Sequence, residues 1–236
     1  MNMLVISTAT PQMSLAIYQD QSPLAFRMGI WPGEALMENI LRLSYEAGLT
    51  LKKIGVIAVV NGPGGFTGLR VGLTTAKTLA YAQNKKLITV DALEATAMQT
   101  QPLSGTRMVI QAACRDEYNV ALFGKGRLTP NTVMAEQDII ASLGSTDGEV
   151  FMMGDGAVAL YPKLLKQHKK TKVQLVGGLS GVLTAHGVAL RALELYREKQ
   201  FSDPIKVLPV YSHPPNIKLS SKLNYEQLRQ AALALA

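Results

Sequence analysis

Short apolar or alternating runs open the chain: Met3–Ser7 (MLVIS), Ser14–Tyr18 (SLAIY) and Leu24–Met28 (LAFRM), parted by Pro11, Asp20 and Pro23. Side chains that alternate over five residues between turn-forming residues predict a three-strand meander. The period then changes. From Glu34 to Ala47 apolar residues recur at Leu36, Ile40, Leu43 and Ala47, with Met37 and Leu41 widening the stripe and Gly48 following as a stop signal. That spacing predicts a helix with one apolar face. Ile54–Val60 (IGVIAVV) reads as a strand buried on both faces, Asn61–Gly68 as a glycine-rich loop, Leu69–Gln83 as a second helix, Leu87–Val90 as a strand and Leu93–Thr100 as a helix. Buried strands joined through helices must pair in parallel, so this half predicts an α/β arrangement, a mixed sheet with helical crossovers.

The second half is less regular. Strands are expected at Arg107–Ala112, Asn119–Phe123 and Val150–Met153, and helices at Ala157–Lys166 and Val182–Glu198. The stretch Pro102–Gly105 (PLSG) offers little apolar surface for packing and is the best boundary. It divides the chain into a first domain, 1–103, a second, 104–211, and a tail, 212–236, with a short helix expected over Tyr225–Leu235. The sequence displays neither an internal repeat nor a low-complexity tract.

At 236 residues and 47% hydrophobic content, the chain can bury a large core. Met1–Thr10 lacks the basic start and long apolar run of a secretory signal, and no stretch approaches the roughly 18 apolar residues of a membrane span. Cys114 is the only cysteine. It therefore forms no intrachain disulfide and no thiolate cluster, which fits a reducing compartment and makes the cytoplasm the expected location. A formal charge of +7 and a pI near 9.5 favour an anionic partner such as RNA. The densest basic run (Lys163, Lys166, Lys169, Lys170, Lys172) contains no aromatic residue for base stacking and reads as a solvated face.

Two segments invite a chemical reading. Asn61–Gly68 (NGPGGFTG) lies between a buried strand and a helix start, where backbone N–H groups and the helix dipole can hold an anion. It lacks the Gly-Lys-Ser/Thr of a P-loop and the spacing of a dinucleotide fingerprint, so tight turns and close helix approach are the alternative use of its glycines. Ser7–Thr10 joins the first two strands, and no carboxylate is present there to orient a metal ion. His168, His186 and His213 share no helical face, so metal binding is not expected. Cys114 reads as a small core residue, and Gly178-Leu179-Ser180-Gly181 lacks the second spacer of a nucleophile elbow.

The run Asn61-Gly-Pro-Gly-Gly-Phe-Thr-Gly-Leu-Arg-Val-Gly72 resembles the hallmark segment of the TsaB/YeaZ family. Around it, Leu4–Thr10, Ala76-Lys77 with Leu79-Ala80, Asp116-Glu117, Gly154-Asp155-Gly156 with Tyr161-Pro162, and Pro209-Val210-Tyr211 are similar to the family's other marks, so the likeness runs over residues 3–211. The resemblance implies an actin-like ATPase (ribonuclease H-like) fold of two domains. It also implies a non-catalytic role: a scaffold that pairs with and activates a TsaD-like subunit, which transfers a threonylcarbamoyl group to adenosine at position 37 of tRNA. A TsaE-like ATPase would join, tRNA would be met through the complex, and the chain alone would be a candidate homodimer.

The family usually carries Asp where this chain has Ser7, His near Pro32, and Asp-Ala-Arg where Ala112-Ala113-Cys114 aligns. A vestigial nucleotide site would therefore draw on Ser7, Thr8, Gly64 and Gly65, with no cofactor of the chain's own and at most weak or interfacial ATP or ADP in the complex. The partner is expected on the first two helices, at Met37, Ile40, Leu41, Leu73, Ala76, Leu79 and Ala80. The rival reading is a self-sufficient ATPase or small-molecule kinase of the same fold.

Overall fold

The computed structural model describes residues 1–100, 103–114, 116–144, 148–167 and 172–213. Ten strands form two five-stranded sheets. In the first, β1 (Asn2–Ser7), β2 (Met13–Gln19) and β3 (Ser22–Gly29) make the expected antiparallel meander, and β1 then pairs in parallel with β4 (Val56–Gly62), which pairs in parallel with β5 (Lys86–Asp91). The order is β3-β2-β1-β4-β5. Helix α1 (Leu36–Glu46) leads into β4, α2 (Phe66–Ala82) joins β4 to β5, and α3 (Ala92–Met98) follows β5.

The second sheet is built on the same plan. Strands β6 (Thr106–Ala112), β7 (Glu117–Phe123) and β8 (Thr132–Ala135) are antiparallel, and β6 then runs parallel with β9 (Val150–Met153), which pairs with β10 (Val173–Leu175). Its order, β10-β9-β6-β7-β8, mirrors the first, a duplication that the sequence does not display because pattern and not residue identity is repeated. Three elements fall outside the sequence-based expectation: β8, α4 (Glu136–Gly144) and β10. Helices α5 (Asp155–Gln167) and α6 (Ala185–Arg197) occupy the expected stretches. The expected tail helix over Tyr225–Leu235 lies outside the described residues.

Alternation on β1 explains the layers. Leu4 and Ile6 face Leu36, Ile40 and Leu43 of α1 and Leu73, Ala76 and Ala80 of α2. Met3 and Val5 face Ala92 and Ala95 of α3 and Val188, Ala189 and Ala192 of α6. A strand covered on both sides must be apolar at every position, which is why β1 and β4 read as continuous apolar runs. Helix α6, far along the chain among second-half elements, thus packs on the first sheet. Ala185 N donates to Ser14 Oγ (2.7 Å), and Tyr18 Oη lies 2.6 Å from His186 Nδ1.

Helix α3 lies between the two sheets. Ala92 and Ala95 meet the first core, while Leu93 and Ala97 pack with Val109, Ala121, Phe123 and Met153 of the second. Asp91 caps it, accepting from Leu93 N (2.8 Å) and Glu94 N (3.0 Å). The buried Arg107 guanidinium donates to the Ala97 and Gly124 carbonyls and so ties the end of α3 to the second sheet.

Helix α2 presses onto the β1–β2 connection, where a Cβ at Gly68 would stand 2.1 Å from Thr8 O. Close approach, and not positive φ, requires glycine there. Gly68→Ala should therefore cost about 1–3 kcal/mol through overpacking, read as a fall in melting temperature. An unchanged melting temperature would contradict the described contact.

Candidate functional site in the cleft between the sheets

A cleft of about 950 Å³ opens between the two halves, at the ends of β1, β4 and β6. One wall is the start of α2, with Gly64, Gly65 and Phe66. The opposite wall is the β6–β7 turn and the start of α5, with Gln111, Cys114 and Asp155. The segment through Tyr211, Ser212 and His213 borders both. It is anchored on the first half, where Val210 N donates to Asn61 O (2.7 Å), the Tyr211 ring lies 4.9 Å from that of Phe66, and Arg70 Nε donates to Tyr211 Oη (3.0 Å). Ser212 Oγ reaches Asn119 Oδ1 (2.5 Å) on the second half.

The residues expected at a nucleotide site separate. Gly64 and Gly65 line the cleft, and Gly65 N already donates to Ala9 O (2.8 Å). Ser7 and Thr8 do not line it: both are buried, and Thr8 Oγ1 donates to Gly68 O (2.8 Å), spending its hydroxyl on seating α2. Ser7 Oγ is buried with no hydrogen-bond partner. Thr8 lies against α2, whereas Ser7, one residue earlier, shares the strand face of Met3 and Val5 on the other side of the first sheet.

The expected partner surface divides in the same way. Ile40, Leu73, Ala76 and Ala80 are fully or almost fully buried in the first core, because they are the positions that face β1, β4 and β5. In this fold they present no surface to a partner, a departure from the sequence-based expectation. Met37 and Leu41 are exposed, joined by Tyr45 at 88% exposure, and Leu79 is half-buried. Positions 37, 41 and 45 are four apart and make one row on the outer face of α1.

Cys114, expected in the core, is exposed. The β6–β7 turn, in which Glu117 N donates to Cys114 O (3.2 Å), sets Cys114 beside Glu117, and His213 arrives from the far end of the chain. His213 Nδ1 lies 3.7 Å from Cys114 Sγ, and His213 Nε2 lies 2.9 Å from Glu117 Oε2. Cys114 and His213 are 99 residues apart, so no spacing rule applied to the sequence brings them together. Lys163 of the basic run pairs with Glu136 (2.7 Å), while Lys169 and Lys170, with His168, lie outside the described residues.

Asp155 is an exposed carboxylate on the wall of this cleft. Desolvation by the surrounding protein pushes its carboxyl above the ordinary Asp value, opposed by hydrogen bonds to Oδ1 from Ala112 N and Gly156 N, each 3.1 Å. Gln111, on the same wall, is buried, with Oε1 unpartnered.

Among the described residues no helix is long and apolar enough to cross a membrane. The TsaD family, described as tRNA N6-adenosine threonylcarbamoyltransferase, matches residues 33–121. The chain is 46% identical over 72 residues to the tRNA N6-adenosine threonylcarbamoyltransferase of Methylorubrum extorquens, covering 30% of this chain but only 21% of that enzyme. It thus spans about a fifth of that relative's length. With the tRNA threonylcarbamoyladenosine biosynthesis protein TsaB of Bacillus subtilis it is 23% identical over 220 residues, 89% of this chain and 93% of that one. In structure it is similar to YeaZ from Pseudomonas aeruginosa, with a TM-score of 0.72 and 20% identity over 89% of this chain and 99% of that one. The two-sheet architecture is the actin-like ATPase fold.

Because folding raises the Asp155 pKa, the folded state holds that proton more tightly than the unfolded chain does. Stability therefore falls as pH rises from the unfolded value through the folded one, and above that the loss is constant. Asp155→Asn keeps the Oδ1 acceptor without the charge. It should flatten this pH dependence and melt no lower than wild type at pH 7, whereas Asp155→Ala, losing both bonds, should lose about 1–2 kcal/mol. Thermal melts from pH 4 to 8 would check both, and an Asn variant that melts well below wild type at pH 7 would contradict the desolvation account.

Proposed function

From its similarity to TsaB of B. subtilis through nearly the whole of both chains, we propose that this chain is a TsaB/YeaZ-type protein that serves the synthesis of threonylcarbamoyladenosine in tRNA as the non-catalytic partner of a TsaD-like subunit. Length separates the two kinds of relative: similarity to TsaD enzymes takes in 21% of the length of the M. extorquens enzyme and 50% of that of Bartonella bacilliformis, whereas similarity to B. subtilis TsaB runs through nearly the whole of both chains. Ser7 supplies no carboxylate and is buried away from the cleft, so the group on which metal-dependent phosphoryl transfer leans is missing from its place. This supports a subunit that acts through contact and disfavours the self-sufficient kinase.

The observation that carries the proposal is the row Met37, Leu41 and Tyr45 on the solvent side of α1. A helix packed on a sheet ordinarily turns polar residues outward. The TsaD family match at residues 33–121 includes α1 and α2, so a TsaD-like partner carries corresponding helices, and two related surfaces can meet around a pseudo-two-fold axis. A standard interface of roughly 800 Å² per partner would take in the outer faces of both helices. The same face offers a docking place for a second copy when no partner is present. A TsaE-like ATPase and tRNA would then join the assembled pair.

Two outcomes are expected. Met37→Glu and Leu41→Glu should each weaken capture by the TsaD-like subunit at least ~10-fold, as loss of a central apolar contact does. Their circular dichroism and melting temperatures should stay near wild type, because both side chains are exposed. Native-strength binding by both variants would place the interface elsewhere. In addition, ATP hydrolysis by the isolated chain should remain at background, measured as phosphate release with Mg²⁺. Clear turnover would overturn the non-catalytic reading in favour of the kinase-like one.

A further inference from the structure

We propose that Cys114, Glu117 and His213 form a binding site for a borderline-soft divalent cation, zinc above all, which clasps the segment before His213 onto the second half of the molecule. Each of the three offers one ligand atom, and these atoms all lie within 4.8 Å of one another. Thiolate, imidazole and carboxylate are the donor types zinc takes, at about 2.3 Å for sulfur and 2.0–2.2 Å for nitrogen and oxygen. A tetrahedral ion with those bonds separates its sulfur and nitrogen ligands by roughly 3.6 Å. Cys114 Sγ and His213 Nδ1 stand 3.7 Å apart.

Glu117 sits at the other edge of the imidazole ring, 2.9 Å from Nε2. In the metal-free protein that contact orients the ring. The Glu117 and His213 side chains are 40% and 36% exposed, and on binding the carboxylate gives up Nε2 to become the third ligand of the ion. An ion pair alone would account for Glu117 with His213, but not for a thiol turned toward the ring's second nitrogen.

The surroundings also favour a ligand. Gln111 lines the same cleft, is buried, and has an Oε1 without a hydrogen-bond partner among the described residues. Two of the three ligands belong to the β6–β7 turn, and the third ends a segment held to the first half through Val210 and Tyr211. An ion here would therefore link the halves across the mouth of the cleft, supplementing the contact between Ser212 and Asn119. Three protein ligands leave a fourth position, taken by water and facing the cleft. The donor set excludes Mg²⁺ and Ca²⁺, which prefer oxygen. None of this depends on the role proposed for α1.

The test uses the full chain, reduced and stripped with chelator, titrated with Co²⁺ and with Zn²⁺ against a chromophoric competitor. Wild type should take up one ion per chain, giving thiolate-to-cobalt charge-transfer absorption and the visible bands of a tetrahedral site. Cys114→Ser should abolish the charge-transfer band, His213→Ala should abolish uptake, and Glu117→Gln should weaken zinc at least ~10-fold. All three positions are exposed or part-exposed, so melting temperatures measured without metal should match wild type, and added zinc should raise that of wild type most and that of His213→Ala not at all. A wild-type chain with no tetrahedral cobalt spectrum would overturn the proposal. So would equal zinc affinity in wild type and His213→Ala, or a thiol that alkylates rapidly in a chain that takes up no metal.

Discussion

The molecule depends on how closely α6 lies against α3. A Cβ at Gly187 would fall 2.1 Å from the carbonyl oxygen of Ala95, so the two helices meet with backbone almost on backbone. That approach lets two small-faced helices share the space beside the first sheet while α3 also fills the face of the second. Thr184 caps α6 and meets Gln99 at the end of α3, whose Nε2 donates to Val182 O (2.5 Å). Arg191 of α6 pairs with Glu94 of α3 (3.0 Å), and Arg127 of the second half reaches Asp91, the cap of α3 (3.3 Å). Polar contacts thus surround an alanine-rich joint. With α3 wedged between them, the two sheets stand where their β1 and β6 ends enclose the cleft.

Much of this was legible in the sequence, for physical reasons. Strands covered on both sides are apolar throughout, and β1 and β4 announce themselves that way. Helix α1 shows a stripe that is correctly apolar on its inner side. The elements that escaped are short or weakly patterned: β10 has three residues, and β8 has four, none of them fully buried. The path of α6 escaped for a different reason. Its apolar face is generic, and nothing local to Ala185–Arg197 says which of two sheets it will cover. Only Gly187 and the Ser14 and Tyr18 contacts decide that.

The site was less legible than the fold. Gly64 and Gly65 were read as cleft residues because a glycine loop between strand and helix has few other uses. Ser7 and Thr8 lie off the cleft because a turn polar in sequence can be buried by the elements around it: Thr8 spends its hydroxyl on α2, and Ser7 is buried on the opposite strand face. The inward residues Ile40, Leu73, Ala76 and Ala80 are told from the outward Met37 and Leu41 only by the position of the sheet, which the apolar excess on α1 and α2 does not reveal. Cys114, Glu117 and His213 gave no local signal at all, since the fold alone brings position 213 beside position 114.

Similarity to B. subtilis TsaB through nearly the whole of both chains, the absence of a carboxylate at Ser7 and the outward row on α1 support the proposal of a subunit whose work is done through a partner, with a segment from the end of the described chain bordering the cleft. The most direct test is the nucleoside content of tRNA from the native cell, measured by mass spectrometry with and without this chain. Depletion should remove threonylcarbamoyladenosine while leaving the TsaD-like subunit present, and restoring the chain should restore the modification. An unchanged level of the modified nucleoside after complete depletion would contradict the account.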